Sequence, residues 1–227
     1  GLLREYKPMI KEFWREGLFD SLDERYFRLV DRSTDMEAEI NWENLDKKQI
    51  FKNFKAIFNN RENVKKEAYF DSMTHFDFKC LLPALLHVED RMAMAHGLES
   101  RVPLLDHPLV EFAATVPADV KFEGGNMKQM LKSAYKDVLP MPILERRDKM
   151  GFPVPLKEWL QGDLHEFAQD IFLNMKIKKR EFVNVSAVLS NFDKAGRFSR
   201  KTWALMSLEL WHQQFHDKAN SYKKMLR

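Results

Sequence analysis

At 227 residues, 44% of them hydrophobic, the chain is long enough for one large domain or two small ones around a real core. Its 37 basic and 34 acidic side chains nearly cancel to a formal net charge of +3, so a pI near 8.8 is weak ground for nucleic-acid binding. No apolar run approaches the length a bilayer crossing needs, the first residues lack a secretory signal, and a lone cysteine excludes an intramolecular disulfide and a thiolate zinc site. The cytoplasm is therefore the expected compartment, with no nucleic-acid or membrane partner, and Cys80 is expected to be a small buried hydrophobe.

Helical punctuation runs along almost the whole chain. Ser21-Leu22-Asp23-Glu24 is a capping-box pattern that opens a helix with Leu22, Tyr26, Leu29 and Val30 on its apolar side. Ile50, Phe51, Phe54, Ile57 and Phe58 repeat at helical spacing until Asn59-Asn60 breaks the pattern. Pro83 suits the first turn of the next helix and Gly97 its C-cap. Asp106 then caps a helix with Pro108 in its first turn, carrying Leu109, Phe112, Ala113 and Val116 up to Pro117. After the Gly124-Gly125-Asn126 turn a helix runs through Leu131, Ala134, Tyr135 and Val138 to Pro140, and Pro140 to Pro155, with four prolines, reads as an irregular connection. Three further helices carry Leu164, Phe167, Ile171 and Phe172; Val185 to Phe192, ended by Gly196; and Trp203, Met206, Leu210 and Trp211. There is no sustained period-two alternation, hairpin turn or repeat, so the expected class is all-α. Basic runs at Lys176 to Arg180 and Arg197 to Lys201 read as solvated loop or helix ends.

Between Pro83 and Phe112 the pattern changes: Glu89, Asp90, Arg91, Glu99, Arg101 and Asp106 sit among apolar residues, where charges must be paired or must meet a ligand. Asp90 and Arg91 are adjacent, point about 100° apart on a helix, and so need outside partners. One arrangement is an internal network of Asp90 or Glu89 with Arg101 and of Arg91 with Glu99. Lys128 falls in the first turn of a helix, directly after a Gly-Gly-Asn turn that frees backbone amides; this suits an anion such as pyrophosphate, or simply a solvated lysine on a helix end. Arg147 and Lys149, beside Gly151, are candidates for phosphate contact, while Gly151 and Phe152 read as packing a turn. His212 and His216 have i,i+4 spacing without an acidic residue between them, and no metal is expected there. His87, His96 and His107 read as packing or network residues, and Met92, Met94, Met127 and Met130 as core filling.

Asp90-Arg91, Met94-Ala95, Leu98-Glu99-Ser100-Arg101 and Pro103-Leu104-Leu105-Asp106 together resemble the C-terminal signature of the asparagine synthetase family, with Leu104 where phenylalanine is usual. Arg147-Asp148-Lys149-Met150-Gly151-Phe152-Pro153-Val154-Pro155 resembles the family's Arg-x-Lys-x-Gly-Phe-x-x-Pro segment, and Trp203 to Phe215 is similar to its closing helix. The resemblance implies that residues 1–227 are the helical C-terminal portion of a pyrophosphatase-loop α/β synthetase domain whose parallel sheet lies upstream. The family's Ser-Gly-Gly-x-Asp-Ser loop, Gly-x-Gly-x-Asp-Glu segment and glutaminase domain are absent from the sequence. It implies an intact enzyme that uses ATP with Mg2+ to adenylate aspartate and takes ammonia from glutamine, a homodimer being one assembly open to it. It places Lys128, three residues before Leu131-Lys132, against the ATP phosphates as the catalytic group, and one edge of the Asp90, Arg91, Glu99, Arg101 and Asp106 network along the substrate and nucleotide cleft. Relatives with the same signature amidate sugar carboxylates or close β-lactam rings, and a non-enzymatic helical interaction module is a further alternative.

Overall fold

The computed structural model describes residues 17, 19–65, 69–146, 154–192 and 200–226. The chain divides into two compact units, one formed by residues 1–30 and 49–149, the other by 31–48 and 150–227. As the sequence predicts, the regular elements among the described residues are helices and helical turns, and the one extended pairing among them is an isolated antiparallel bridge between Ile40 and Val183.

The first unit opens with α1, Leu22–Val30. Half of the predicted capping box forms: Glu24 accepts from the Ser21 backbone N–H at 3.0 Å and from Ser21 Oγ at 2.6 Å, while the Glu24 N–H donates to Asp23 Oδ1 at 3.0 Å instead of to Ser21 Oγ. Beside it, burial pushes the Asp23 carboxyl up, but hydrogen bonds from Ser21, from Asn59 Nδ2 at 2.7 Å and from the Glu24 N–H outweigh it and hold Asp23 below the usual carboxylate range. The inward side of α1 is Tyr26, Phe27 and Leu29, whereas Leu22 and Val30, predicted inside, are exposed. An aromatic cluster with α2, Lys47–Phe58, sets the inward side: the Phe27 ring lies 4.9 Å from Phe51 and 5.0 Å from Phe54, while Leu22 and Val30 are the first and last residues of α1. Tyr26 stacks on Phe58 at 5.3 Å, meets Phe76 edge-on at 5.9 Å and donates to Asp77 Oδ1 at 3.1 Å. Burial, then the Asp77 charge, raises its phenol above the ordinary tyrosine range.

Phe76 and Asp77 belong to a helical run that departs from expectation. Pro83 does not start a free helix: α3, Tyr69–Phe76, continues through a π-turn, Asp77–Leu81, into α4, Leu82–Met94. Pro83 has no N–H for the Lys79 carbonyl and its ring crowds the preceding turn, and the wider turn just upstream, in which the Leu82 N–H reaches Asp77 O, accommodates both. Cys80 lies in this π-turn and is exposed rather than buried, because the run's packing side is carried by Tyr69, Met73 and Phe76 instead. Gly97 ends α4 as predicted, with φ +69, its N–H on Met94 O and the Leu98 N–H on Ala93 O, both at 3.0 Å. Then follow α5, His107–Thr115; single turns α6, Ala118–Lys121, and α8, Met141–Leu144; and between them α7, Gln129–Ala134, which stops short of the predicted Val138.

The second unit has its own core. The segment around Ile40 is zipped to the one around Val183: Asn41 N–H donates to Phe182 O at 3.0 Å, Asn184 N–H to Glu39 O at 2.8 Å, and the Asn41 and Asn44 amides to Glu181 O at 2.7 and 2.8 Å. Around it pack α9, Leu156–Gln161, α10, His165–Ile177, α11, Val185–Phe192, and α12, Arg200–Trp211, burying Leu160, Phe172, Met175, Val188, Leu205 and Met206. Ile171 and Phe172 are inside as predicted; Trp203 and Trp211 are exposed, since Leu205 and Met206 take the inner side of α12.

Two charge nodes lock this unit. Glu39, almost fully buried, accepts at Oε1 from Lys201 Nζ at 2.6 Å and Asn191 Nδ2 at 2.8 Å. Arg180 is not the solvated loop end that its basic run predicts: it is 10% exposed, gripping the wholly buried Glu209 at 2.9 and 3.0 Å and Asp217 at 2.9 and 3.1 Å. A second π-turn, His212–Asp217, leads on to α13, Ala219–Met225. Glu209 and Asp217, eight residues apart, would point about 80° apart on an uninterrupted α-helix; the residue absorbed by the π-turn brings them within about 20°, so that one guanidinium holds both.

Candidate functional site

The turn before α7 carries the sharpest local geometry. Gly124 and Gly125 have φ of +65 and +72, and Lys128 follows with φ +58 and ψ 24. Lys128 is therefore not in the first turn of a helix, as predicted, but is the N-cap residue, in the left-handed region that costs a lysine roughly 1–2 kcal/mol. α7 is six residues long, too short for a strong dipole, and the turn does not free its amides as predicted: the Gly125 N–H donates to Phe122 O at 2.8 Å and the Asn126 N–H to Glu123 O at 3.3 Å, so the ammonium itself is what an anion would meet. The Lys128 side chain is exposed and makes no hydrogen bond or ion pair with the described residues. One turn on, Lys132 Nζ donates to Arg146 O at 3.2 Å, tying α7 to the chain just before Arg147; nothing in the spacing of the sequence singles out that bond. Arg147, Lys149, Gly151 and Phe152 lie outside the described residues, as does Gly196.

The charged signature is organised differently from the predicted network. Asp90 and Arg91 do meet each other, loosely, at 3.7 Å, because the long arginine side chain bends back over the 100° step. Glu99 pairs with Arg101 at 2.9 Å rather than with Arg91: the chain is non-helical from Leu98 to Val102, and residues two apart in an extended stretch point to the same side. Glu89 accepts from Ser100 Oγ at 3.3 Å, a link between α4 and the following stretch that the sequence reading did not foresee. Asp106 stands at the N-cap position of α5 as predicted, but its side chain makes no capping hydrogen bond; the backbone alone starts the helix, with Val110 N–H on Asp106 O at 2.9 Å. His107 meets Glu111 at 3.2 Å across one helical turn.

None of these ion pairs is buried. The Asp90 and Arg91 side chains are 51% and 65% exposed, and pairs so exposed contribute about 0–1 kcal/mol. The apolar residues among which they sit are exposed too: Leu85, Val88, Met92, Leu98, Leu104 and Phe112 all face solvent, and α4 to α8 contain no buried residue. Met92 and Met94 are thus not core filling, as predicted, because no element packs over that side of α4 among the described residues. Lys128, Asp90, Arg91, Glu99, Arg101 and Asp106 accordingly lie open to solvent within the first unit, and no hydrogen bond or ion pair among the described residues joins Lys128 to the other five.

The model of the asparagine synthase family matches residues 3–213. Asparagine synthetase [glutamine-hydrolyzing] 1 of Bacillus subtilis (strain 168) is 30% identical over 174 residues, which are 74% of this chain and 26% of that protein. A putative asparagine synthetase [glutamine-hydrolyzing] of Mycobacterium tuberculosis (strain ATCC 25618 / H37Rv) is 33% identical over 149 residues, covering 63% of this chain and 22% of the relative. Asparagine synthetase [glutamine-hydrolyzing] of Gallus gallus is 32% identical over 102 residues, 41% of this chain and 18% of the relative. The chain thus spans about a quarter of the length of such relatives, and no solved structure gives a significant match. On a family match over nearly its whole length, together with the ordered signature residues, the chain belongs to the asparagine synthase family.

Proposed function

We propose that the chain is the helical C-terminal portion of an ATP-dependent synthetase that transfers the side-chain carboxylate of aspartate to AMP and aminates it with ammonia from glutamine, giving asparagine, AMP and pyrophosphate. Adenylation makes the carboxyl carbon electrophilic and sends negative charge onto the departing pyrophosphate, where a fixed cation lowers the barrier. The observation that carries the assignment is Lys128: an exposed lysine without a partner among the described residues, held at φ +58 three residues after the second of two glycines of positive φ. A strained, unpaired cation fits a phosphate ligand. In this reading the aspartate, the glutamine and most of the ATP with its Mg2+ are held by upstream parts of the synthetase, and this chain alone is inactive. Arg147 and Lys149 would add charge to the same phosphates.

The test is AMP release by the intact synthetase supplied with aspartate, glutamine and Mg-ATP. Lys128→Ala is expected to lower the aspartate-dependent rate by about 10^2–10^3, the usual loss for one group that stabilises transition-state charge. Full activity in that variant removes Lys128 from the chemistry. AMP release that ignores aspartate moves the reading to another carboxylate, an alternative kept open by a 26% identical relative over 150 residues, amidase chry2 of Gibberella zeae.

A further inference from the structure

Both acidic side chains between Arg200 and Leu226, Glu209 and Asp217, are consumed by Arg180 on the inner side of α12 and the following π-turn. The outer side of the same run is apolar and aromatic: Trp203, Trp211, Phe215, Tyr222 and Leu226 are all exposed, Leu226 at 88%. They share one face. With the π-turn counted as one absorbed residue, Tyr222 returns to the meridian of Trp203 after about five full turns, Leu226 falls about 40° from it and Trp211 about 80°. The Phe215 ring lies 6.4 Å from Trp211. On the same count Lys218 lies about 40° to one side of the Trp203 meridian and Lys223 about 100° to the other, so cations border the apolar strip on both edges. Lys218 is held by Gln214 at 2.9 Å and by no carboxylate among the described residues. Spread over about 24 residues at about 1.5 Å each, the strip is roughly 36 Å long.

We propose that this face of α12, the π-turn and α13 docks flat on an anionic lipid bilayer. Charge complementarity requires a negative partner, since the strip has cations at its borders and no free carboxylate. Shape then selects the bilayer: a convex helical rib with aliphatic Leu226 at one end and aromatic rings along it sinks into the headgroup boundary, whereas a peptide helix needs a groove and a nucleic acid offers Leu226 nothing to stack on. No helix of the described residues is long and apolar enough to cross a membrane, so the association is with the surface only. The sequence alone points to no membrane partner, because the acid-free outer face exists only once Arg180 and the π-turn draw Glu209 and Asp217 to the other side. The inference is independent of the reaction proposed above.

The experiment is sedimentation of the 227-residue chain with vesicles of phosphatidylcholine alone and of phosphatidylcholine mixed equally with phosphatidylglycerol. Binding is expected to the anionic vesicles only and to weaken with salt. Lys218→Gln with Lys223→Gln should weaken it by at least about tenfold, and Trp211→Ala with Phe215→Ala should weaken it also, each with helical circular dichroism retained. If the aromatic pair fails to fold, the exposed lysine pair decides alone. Equal binding to neutral vesicles, anionic binding that survives the lysine variant, or no vesicle binding overturns the proposal. So does a vesicle-independent dimer, or binding to an acidic peptide or an oligonucleotide without vesicle binding.

Discussion

At Lys128 the backbone adopts an angle that glycine reaches freely, so activity and stability should separate there. Lys128→Gly relieves the left-handed strain and is expected to leave the chain between equally stable and about 1 kcal/mol more stable, while the intact synthetase loses activity as in the alanine variant. Thermal melts set beside AMP release check this, and a variant both less stable and still active would argue that the angle serves folding alone. Arg180 presents the opposite case. Arg180→Met leaves the wholly buried Glu209 without its cation and is expected to cost about 3–5 kcal/mol, read as a fall in the denaturation midpoint. Its surroundings also set a pH dependence. Burial, then the Arg180 and His216 charges, lowers the His212 pKa, so its neutral form is the folded one; the stability it contributes is complete above about 6.5, the unfolded value, and is lost as pH falls below it. Hydrogen bonds from Arg180 lower Asp217 as well, and its contribution disappears further down, as pH falls through the folded value. The melting temperature should therefore drop on acidification from pH 7.5 to 2, and Asp217→Asn should remove part of the drop below about pH 4.

Among the elements, what depends on neighbouring residues was legible in the sequence and what depends on distant ones was not. Ser21 with Glu24, Gly97, and the stop at Asn59 are read correctly because each is decided within one turn of chain. Gly97→Ala should cost about 1 kcal/mol through its φ of +69 alone, since a Cβ there meets nothing within 4 Å; a cost several times larger in urea denaturation would reveal packing not visible around it. Both π-turns escaped notice, since a helix with an absorbed residue has the same apolar spacing as two shorter helices, and only the meeting of Glu209 and Asp217 on Arg180 shows what the second one does. Burial of the signature charges is not legible for a related reason. Asp90, Arg91, Glu99 and Arg101 lie among apolar residues in the chain, but sequence contains no record of whether another element covers them, and among the described residues none does. The turn before Lys128 is legible from Gly124-Gly125; its N-cap place and left-handed backbone are not, as lysine rarely adopts that angle.

For the molecule as a whole, the contrast between a packed core and an open apolar surface predicts uneven stability. Phe172, Met175 and Val188 are buried at 0, 0 and 3% exposure among α10, α11 and α12, joined by the Glu39 and Arg180 nodes. α4 to α8 bury nothing, and of them only α4 reaches 13 residues, at the edge of what a helix needs to persist in water without packing. Local opening should then cost little from Leu82 to Leu144 and approach the global value in the second unit. Amide exchange followed by mass spectrometry should label peptides from 82–144 within seconds to minutes while peptides from 165–175 and 185–192 stay protected, and the chain should bind a hydrophobic dye in its native state. In the intact synthetase, where the proposed upstream sheet covers this side, protection of 82–144 should rise and dye binding fall; equal protection of both stretches in the isolated chain would mean that the exposed apolar surface is already satisfied, and would remove the physical ground for a covering partner.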